Sequence, residues 1–233
     1  LARAQRHLER ILDHARQEGR VLPLEVALSR AEVLRDRGDL PGALRAVDEL
    51  LDGADASGQA YRALAMRFEI LGDLGDGDAC LAALPDLETA LASAEGVGRS
   101  ALLSAKAVIL QRFGDARASL DAYTALESLA RELEDQALLA RAIQAQGICH
   151  ERVGALGESA RLLKLGIEAA RVSGNEQVLM VALINAVPTV LLSGELEEAS
   201  SLGQEAISLA QRMSNVRAGV IAAANGLWVE MEL

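Results

Sequence analysis

Three short constellations in this chain carry residue types capable of chemistry. His7 and His14, in HLERILDH, lie seven residues apart and share a helix face, as two ligands of a zinc site would. No third His or Cys stands near them, so the pair reads as part of a solvated helix face. Cys149-His150-Glu151 sets a thiol beside an imidazole, the partners of an activated cysteine. Adjacent residues of a helix point about 100° apart, so these two do not face each other, and a packed cysteine beside a surface histidine accounts for them. Asp73, Asp76 and Asp78, in GDLGDGDAC, have the spacing of calcium-loop carboxylates. The distal Glu of such a loop is missing: Leu84 is twelfth from Asp73 and Leu87 twelfth from Asp76. A Gly/Asp turn is the simpler account. With no phosphate loop, nucleophile elbow or paired metal motif elsewhere, this segment is expected to be non-enzymatic, with no catalytic residue, cofactor or metal.

The elements that position these residues are helices. Of 233 residues, 51% are hydrophobic and only 2% aromatic, and Ala and Leu, the strongest helix formers, dominate. The net charge is −11, and only Lys106 and Lys164 are lysines, which argues against a phosphate-tracking surface and direct nucleic-acid binding. Cys80 and Cys149 are too few and too far apart for a disulfide framework, which fits a reducing cytoplasm. The longest apolar run, 178–192, is too short to cross a bilayer and includes Asn185 and Pro188, so no membrane partner is expected. No signal peptide is visible at the start.

Apolar periodicity and breakers predict about twelve helices, near 1–18, 23–37, 40–52, 58–73, 78–94, 98–113, 115–133, 136–153, 155–173, 176–193, 195–213 and 215–232. Glycines recur at the turns between them. Gly38, Gly114, Gly154 and Gly194 sit in RGDLPGAL, FGDARASL, VGALGESA and SGELEEAS, the last three 40 residues apart, and Gly72 and Gly75 mark a looser copy. A fixed period of this length marks a stack of repeats. Each turn glycine is expected in the left-handed cap conformation, and Asp39, Asp115 and Glu195 are placed to cap or favour the following helix. Small residues keep register with the turns. Seven before them stand Ala31, Ala65, Ala107, Gly147 and Val187; five after, Ala43, Ser119, Ser159 and Ala199; sixteen after, Ala54, Ala130, Ala170 and Ala210. Such spacing implies repeated close contacts between a first and a second helix in each unit. Pro85 is expected to delay or kink one second helix, and Pro188 to bend one first helix.

In these residues (Ala31–Gly38-Asp39–Ala43, Ala107–Gly114-Asp115–Ser119, Gly147–Gly154–Ser159) the chain resembles the tetratricopeptide-repeat (TPR) family over essentially its whole length. The period near 40 departs from the family's 34, and the early aromatic of the first helix and the proline closing the second are absent. This longer form is similar to repeats of bacterial multidomain signalling regulators, the maltose-regulon-activator-like STAND proteins among them. Asn185 and Asn225, 40 apart, match an Asn often seen in that subtype. The resemblance implies an all-α fold, a right-handed superhelix forming a single solenoid over 1–233. Its repeats are near 23–56, 57–97, 98–135, 136–175 and 176–214, with half-repeats 1–18 and 215–233. The unpaired helices at the two ends, the last one carrying Leu227, Trp228, Val229 and Met231, lead us to expect a piece of a longer protein.

The resemblance also implies that first helices line a concave groove. That places Glu25, Leu28, Glu32 and Arg35 on it, then Arg62, Met66 and Glu69, then Ser104, Val108 and Gln111. Arg141, Gln144, Ile148 and Glu151 follow, with Ile184, Pro188 and Leu191 at the apolar end. The implied function is a cytoplasmic scaffold that binds a protein or peptide segment, or senses a ligand, within a signalling or transcriptional regulator. Its partner could be a neighbouring domain of the same polypeptide. The alternatives are a self-association module that forms homodimers through the end helices, or an accessory domain of an enzyme such as a cyclase or diguanylate cyclase.

Overall fold

A computed structural model describes residues 24–52 and 58–232. The helix expected over 1–18, with His7 and His14, and the small residue Ala54 lie outside the described residues. Those described contain twelve α-helices and no strand. They are α1 (Leu24–Asp36), α2 (Leu40–Leu51), α3 (Gly58–Leu74), α4 (Gly77–Ala82), α5 (Leu84–Ser93) and α6 (Gly96–Phe113), followed by α7 (Ala116–Glu132), α8 (Gln136–Arg152), α9 (Leu156–Ser173), α10 (Glu176–Leu192), α11 (Leu196–Arg212) and α12 (Val216–Glu232). Contacts divide the chain into two compact units, one ending at Asp115 and the other beginning at Ala116. Every expected helix from 23–37 onward is present, with one change: the helix expected over 78–94 is two. Ala83 breaks it, and Pro85 enters the first turn of α5, where its missing N–H costs no helical hydrogen bond.

The turns carry out the repeat. Gly38, Gly154 and Gly194 have φ of 80°, 80° and 88°, and Gly75 rather than Gly72 is the left-handed turn residue of the second repeat. Behind Gly38, Gly154 and Gly194 the next amide reaches back five residues: Asp39 N to the Leu34 carbonyl (3.0 Å), Ala155 N to His150 (2.9 Å) and Glu195 N to Val190 (3.2 Å). These are helix-ending caps that only glycine adopts without steric cost. Gly114 departs from the expectation: it is extended, with φ −105°. Its backbone crowds Leu110 instead, and a Cβ there would sit 2.9 Å from a Leu110 methyl. Asp39 caps α2 through the Gly42 amide (3.0 Å), whereas the Glu195 side chain makes no cap and instead holds Lys164 at 2.5 Å.

The second unit has a parallel set of turns at the ends of its second helices. Glu134, Gly174 and Ser214, spaced by 40, all take positive φ (54°, 65° and 53°), and only the middle one is glycine. The amides of Asp135 and Asn215 return to the Ala130 and Ala210 carbonyls, 3.0 and 2.9 Å away.

Between the turns, the small-residue register becomes close packing. Ala31, Ala43, Ala107, Ser119, Ser159, Ala170 and Ala199 have no exposed surface. A Cβ on Gly147 would lie 2.9 Å from Leu163 Cγ and 3.2 Å from the Ser159 carbonyl oxygen. There α8 and α9 approach as closely as two backbones allow. In the first unit Phe68, Leu87, Leu102 and Ile109 fill the core where the broken second helix lets α3 pack broadly on α6. In the second unit Leu163, Met180, Leu183, Val187 and Val190 form one core from α9 to α12.

Candidate functional site

The first helices of the first unit are α1, α3 and α6, and opposite charges link them at the repeat spacing. Glu25 of α1 holds Arg62 of α3 at 2.5 Å. Near the other end, Arg35 pairs with Glu69 and with Asp73 (2.6 Å), and Asp73 also holds Arg112 of α6 at 3.1 Å. Partial burial alone would push the Asp73 carboxyl up, but hydrogen bonds and charge from Arg35, then Arg112, outweigh it and hold the group below its usual range. The same exchange works on Arg35: burial lowers its affinity for the proton, and Asp73 and Glu69 raise it further than burial lowers it. Of the residues expected to line a groove here, Arg62 and Glu69 therefore spend their charge on neighbouring repeats. Met66 packs against the core around Leu28, which is itself buried, and Glu32 is exposed. On α6 the Ser104 hydroxyl donates to its own helix at the Ser100 carbonyl (2.8 Å), and Val108 and Gln111 are half-buried.

The first helices of the second unit, α8, α10 and α12, present a different surface. Arg141 is exposed, and Ile148 and Ile184 are half-buried against the core. Glu151 accepts a hydrogen bond from the buried Thr189 hydroxyl (2.7 Å), tying α8 to α10. Gln144 and Leu191, expected to face the groove, are buried. Gln144 lies over Gly166, where a Cβ would stand 2.4 Å from its Cγ, and its Nε2 is enclosed without a hydrogen-bond partner. The accessible apolar side chains occupy other positions of the same 40-residue register. Val181 and Ile221 stand 40 and 80 residues after Arg141; Pro188 and Trp228 stand 40 and 80 after Ile148. Val181, Ile221 and Trp228 are exposed and Pro188 is half-buried. Since α10 packs on both α8 and α12, these positions fall on adjacent helices.

Asn225 has a defined task in this unit. Pro188 continues α10 without an N–H, which leaves the Ile184 carbonyl lacking its helical donor. Asn225 Nδ2 of α12 donates to that oxygen at 2.9 Å.

Sequence reasoning missed the paired charges and Asn225's role. Glu25–Arg62, Arg35–Asp73 and Asp73–Arg112 are 37, 38 and 39 residues apart, so opposite charges one repeat apart were the available signal. The two chemical constellations that fall among the described residues do not assemble. Asp73 is held by two arginines, Asp76 caps α4 through the Ala79 amide (3.0 Å), and Cys149 is buried with Sγ 3.4 Å from Ser119 Oγ. Burial pushes the Cys80 thiol up, away from the reactive thiolate. Among the described residues no cluster of His, Cys, Asp and Glu is arranged to hold a metal, and no helix is long and apolar enough to cross a membrane.

Comparison with solved structures identifies the fold. The chain is similar to a signal transduction ATPase with numerous domains (STAND) that carries a tetratricopeptide-repeat sensor, from Pyrococcus horikoshii. The TM-score is 0.76 at 13% identity, over 95% of this chain and 34% of that one. It is similar to a Rap protein in complex with competence and sporulation factor, with a TM-score of 0.74 at 15% identity, over 91% of this chain and 60% of that one. The apo form of RapI gives 0.60 at 13% identity, over 83% of this chain and 72% of that one. No family model and no curated protein matches the sequence. The fold is therefore a TPR-like helical repeat, and the chain spans about a third of the STAND protein's length.

Proposed function

We propose that the chain is a non-catalytic binding scaffold that docks a protein or peptide segment by the segment's apolar side on the first helices of the second unit. The observation that carries this reading is the accessible apolar register on α10 and α12. Val181, Ile221 and Trp228 are exposed there beside half-buried Ile184 and Pro188. In the first unit the corresponding helices spend their charged side chains on one another. A soluble surface rarely gathers apolar side chains in register unless something covers them. An amphipathic helix or extended strand with alternating apolar residues would fit such a face. Arg141 and Glu151 at its α8 edge supply the polar contacts that orient a ligand. Of the expected groove positions, Arg141, Ile148, Glu151 and Ile184 then serve as surface contacts, with Gln144 and Leu191 as their buried support.

The Rap structure of similar fold holds a factor in complex, and the STAND protein carries a tetratricopeptide-repeat sensor, which supports a binding role. In a longer polypeptide the docked segment could belong to a neighbouring domain, as in a cytoplasmic bacterial signalling or transcriptional regulator. The test is selection of binding peptides from a displayed library, followed by calorimetric titration of the best one. Val181→Asp and Trp228→Asp should each weaken binding about tenfold or more while leaving the helical circular dichroism unchanged. Glu49→Lys, on α2, should leave it unchanged. Equal affinity for all four proteins would refute the docking face.

A further inference from the structure

The basic residues of the second unit differ by helix. On the second helices α7, α9 and α11, Arg131, Arg161, Lys164, Arg171 and Arg212 each hold a carboxylate of their own or a neighbouring helix. On the first helices α8 and α12, Arg141, Arg152 and Arg217 are exposed and hold no carboxylate among the described residues. Arg141 Nε donates only to its own helix, at the Ala137 carbonyl 3.3 Å away. In a chain of net charge −11, arginines left without a carboxylate are the exception. Two of them stand on the docking face. Arg141 shares its place in the 40-residue register with Val181 and Ile221, and Arg217 shares its place with Gln177, one turn before Ile221. Arg141, Gln177 and Val181 are exposed although further helices follow α8 and α10, so this part of the face is open by its position in the repeat. Ile221 and Arg217 continue the same two rows onto α12. Asp135 and Glu176, the acids that open α8 and α10, are already engaged: Asp135 accepts the Leu138 amide (2.9 Å), and Arg212 holds Glu176 (2.6 Å).

We propose that the segment docked on this face is extended and acidic, with one carboxylate on Arg141, a second on Arg217, and apolar side chains between them on Val181 and Ile221. This rests on the docking face described above and adds the chemistry of its partner. Because α10 lies between α8 and α12, two interaxial spacings of 8–10 Å separate the arginines by about 20 Å. An extended chain advances about 3.3 Å per residue and turns every second side chain to one side. Its two acidic residues therefore stand about six positions apart, with apolar residues at the second and fourth positions after the first acid. The far end of the face selects no charge, since Arg152 and Glu232 are both exposed there and Glu151 is held by Thr189. Two separated arginines on an acidic chain suit individual carboxylates, whereas a nucleic-acid backbone needs clustered cations. Exposed ion pairs contribute little affinity each, so the apolar contacts supply the binding and the arginines choose the sequence and its direction.

Selection of random displayed peptides on the full 233-residue chain tests this. The recovered sequences should carry Asp or Glu about six positions apart with apolar residues between them. In calorimetric titration of the best peptide, Arg141→Glu and Arg217→Glu should each weaken binding about fivefold with unchanged circular dichroism. Replacing one acid of the peptide by Lys should weaken binding to the wild type by a similar factor. One of the two reversed chains should then recover it, which reports which acid meets which arginine. If Val181→Asp leaves the affinity intact, the docking face itself is wrong and the acidic partner falls with it. If Val181→Asp weakens binding but neither arginine reversal does, or the selected peptides lack the acidic pair, the face stands and the acidic partner is refuted.

Discussion

Glu134 and Ser214 occupy left-handed turn positions that their repeat-mate Gly174 fills without cost. A residue with a Cβ loses about 1–2 kcal/mol there, less the chain entropy that glycine forfeits on folding. Glu134→Gly and Ser214→Gly should therefore each raise stability by about 0.5–1 kcal/mol in urea denaturation. Gly154→Ala and Gly194→Ala, at φ of 80° and 88° with open space around them, should lower it by about 1 kcal/mol from backbone strain alone. The register of small residues was legible in the sequence because a missing side chain is itself the contact, as Gly147 against Leu163 shows. The conformation of Gly114 was not, because the same residue type serves an extended turn and a left-handed one.

At the scale of elements, the link between Pro188 and Asn225 joins two helices through one carbonyl. Asn225→Ala should cost about 1–2 kcal/mol, because the Ile184 oxygen then has neither a helical donor nor a side-chain one. In a Pro188→Ala background the restored amide supplies that donor, and the same substitution should cost less than half as much. Thermal or urea denaturation of the four proteins gives the coupling directly, and equal costs in both backgrounds would remove the explanation. Both residues stood out in the sequence, Pro188 as a helix breaker and Asn225 as an Asn repeated 40 residues after Asn185. Their partnership did not, because it depends on α12 packing across α10 in one particular register. Helix boundaries were read well where a glycine and a capping residue bracket the turn. They failed over 78–94, where Ala83 divides the expected helix in two and Pro85 sits in the first turn of the second.

For the molecule as a whole, the two units hold their first helices together by different means. In the first unit the Arg35–Asp73–Arg112 link makes stability depend on acid. The Asp73 carboxyl titrates lower in the fold than in the unfolded chain, so its contribution is complete above about pH 4 and disappears as pH falls through the folded value. Solvent screening of this partly exposed group limits the contribution to about 1 kcal/mol. Asp73→Asn should thus destabilise at neutral pH, more weakly in high salt, and have no effect once the wild-type carboxyl is protonated. In the second unit the links are packing and hydrogen bonds, and the apolar side chains of Val181, Ile221 and Trp228 are exposed. The repeat and its helices were readable in the sequence. Which groove positions are buried, as Gln144 and Leu191 are, follows from how deeply the next hairpin settles, and a linear spacing does not carry that depth. Methyl-resolved NMR of the chain, labelled at Ile and Val and titrated with a selected peptide, tests the docking face most directly. The account predicts shifts at the methyls of Val181, Ile184 and Ile221, with Val47 and Ile109 of the first unit's core unmoved. Shifts confined to the first unit, or to Val153 and Val172 at the turns, would contradict it.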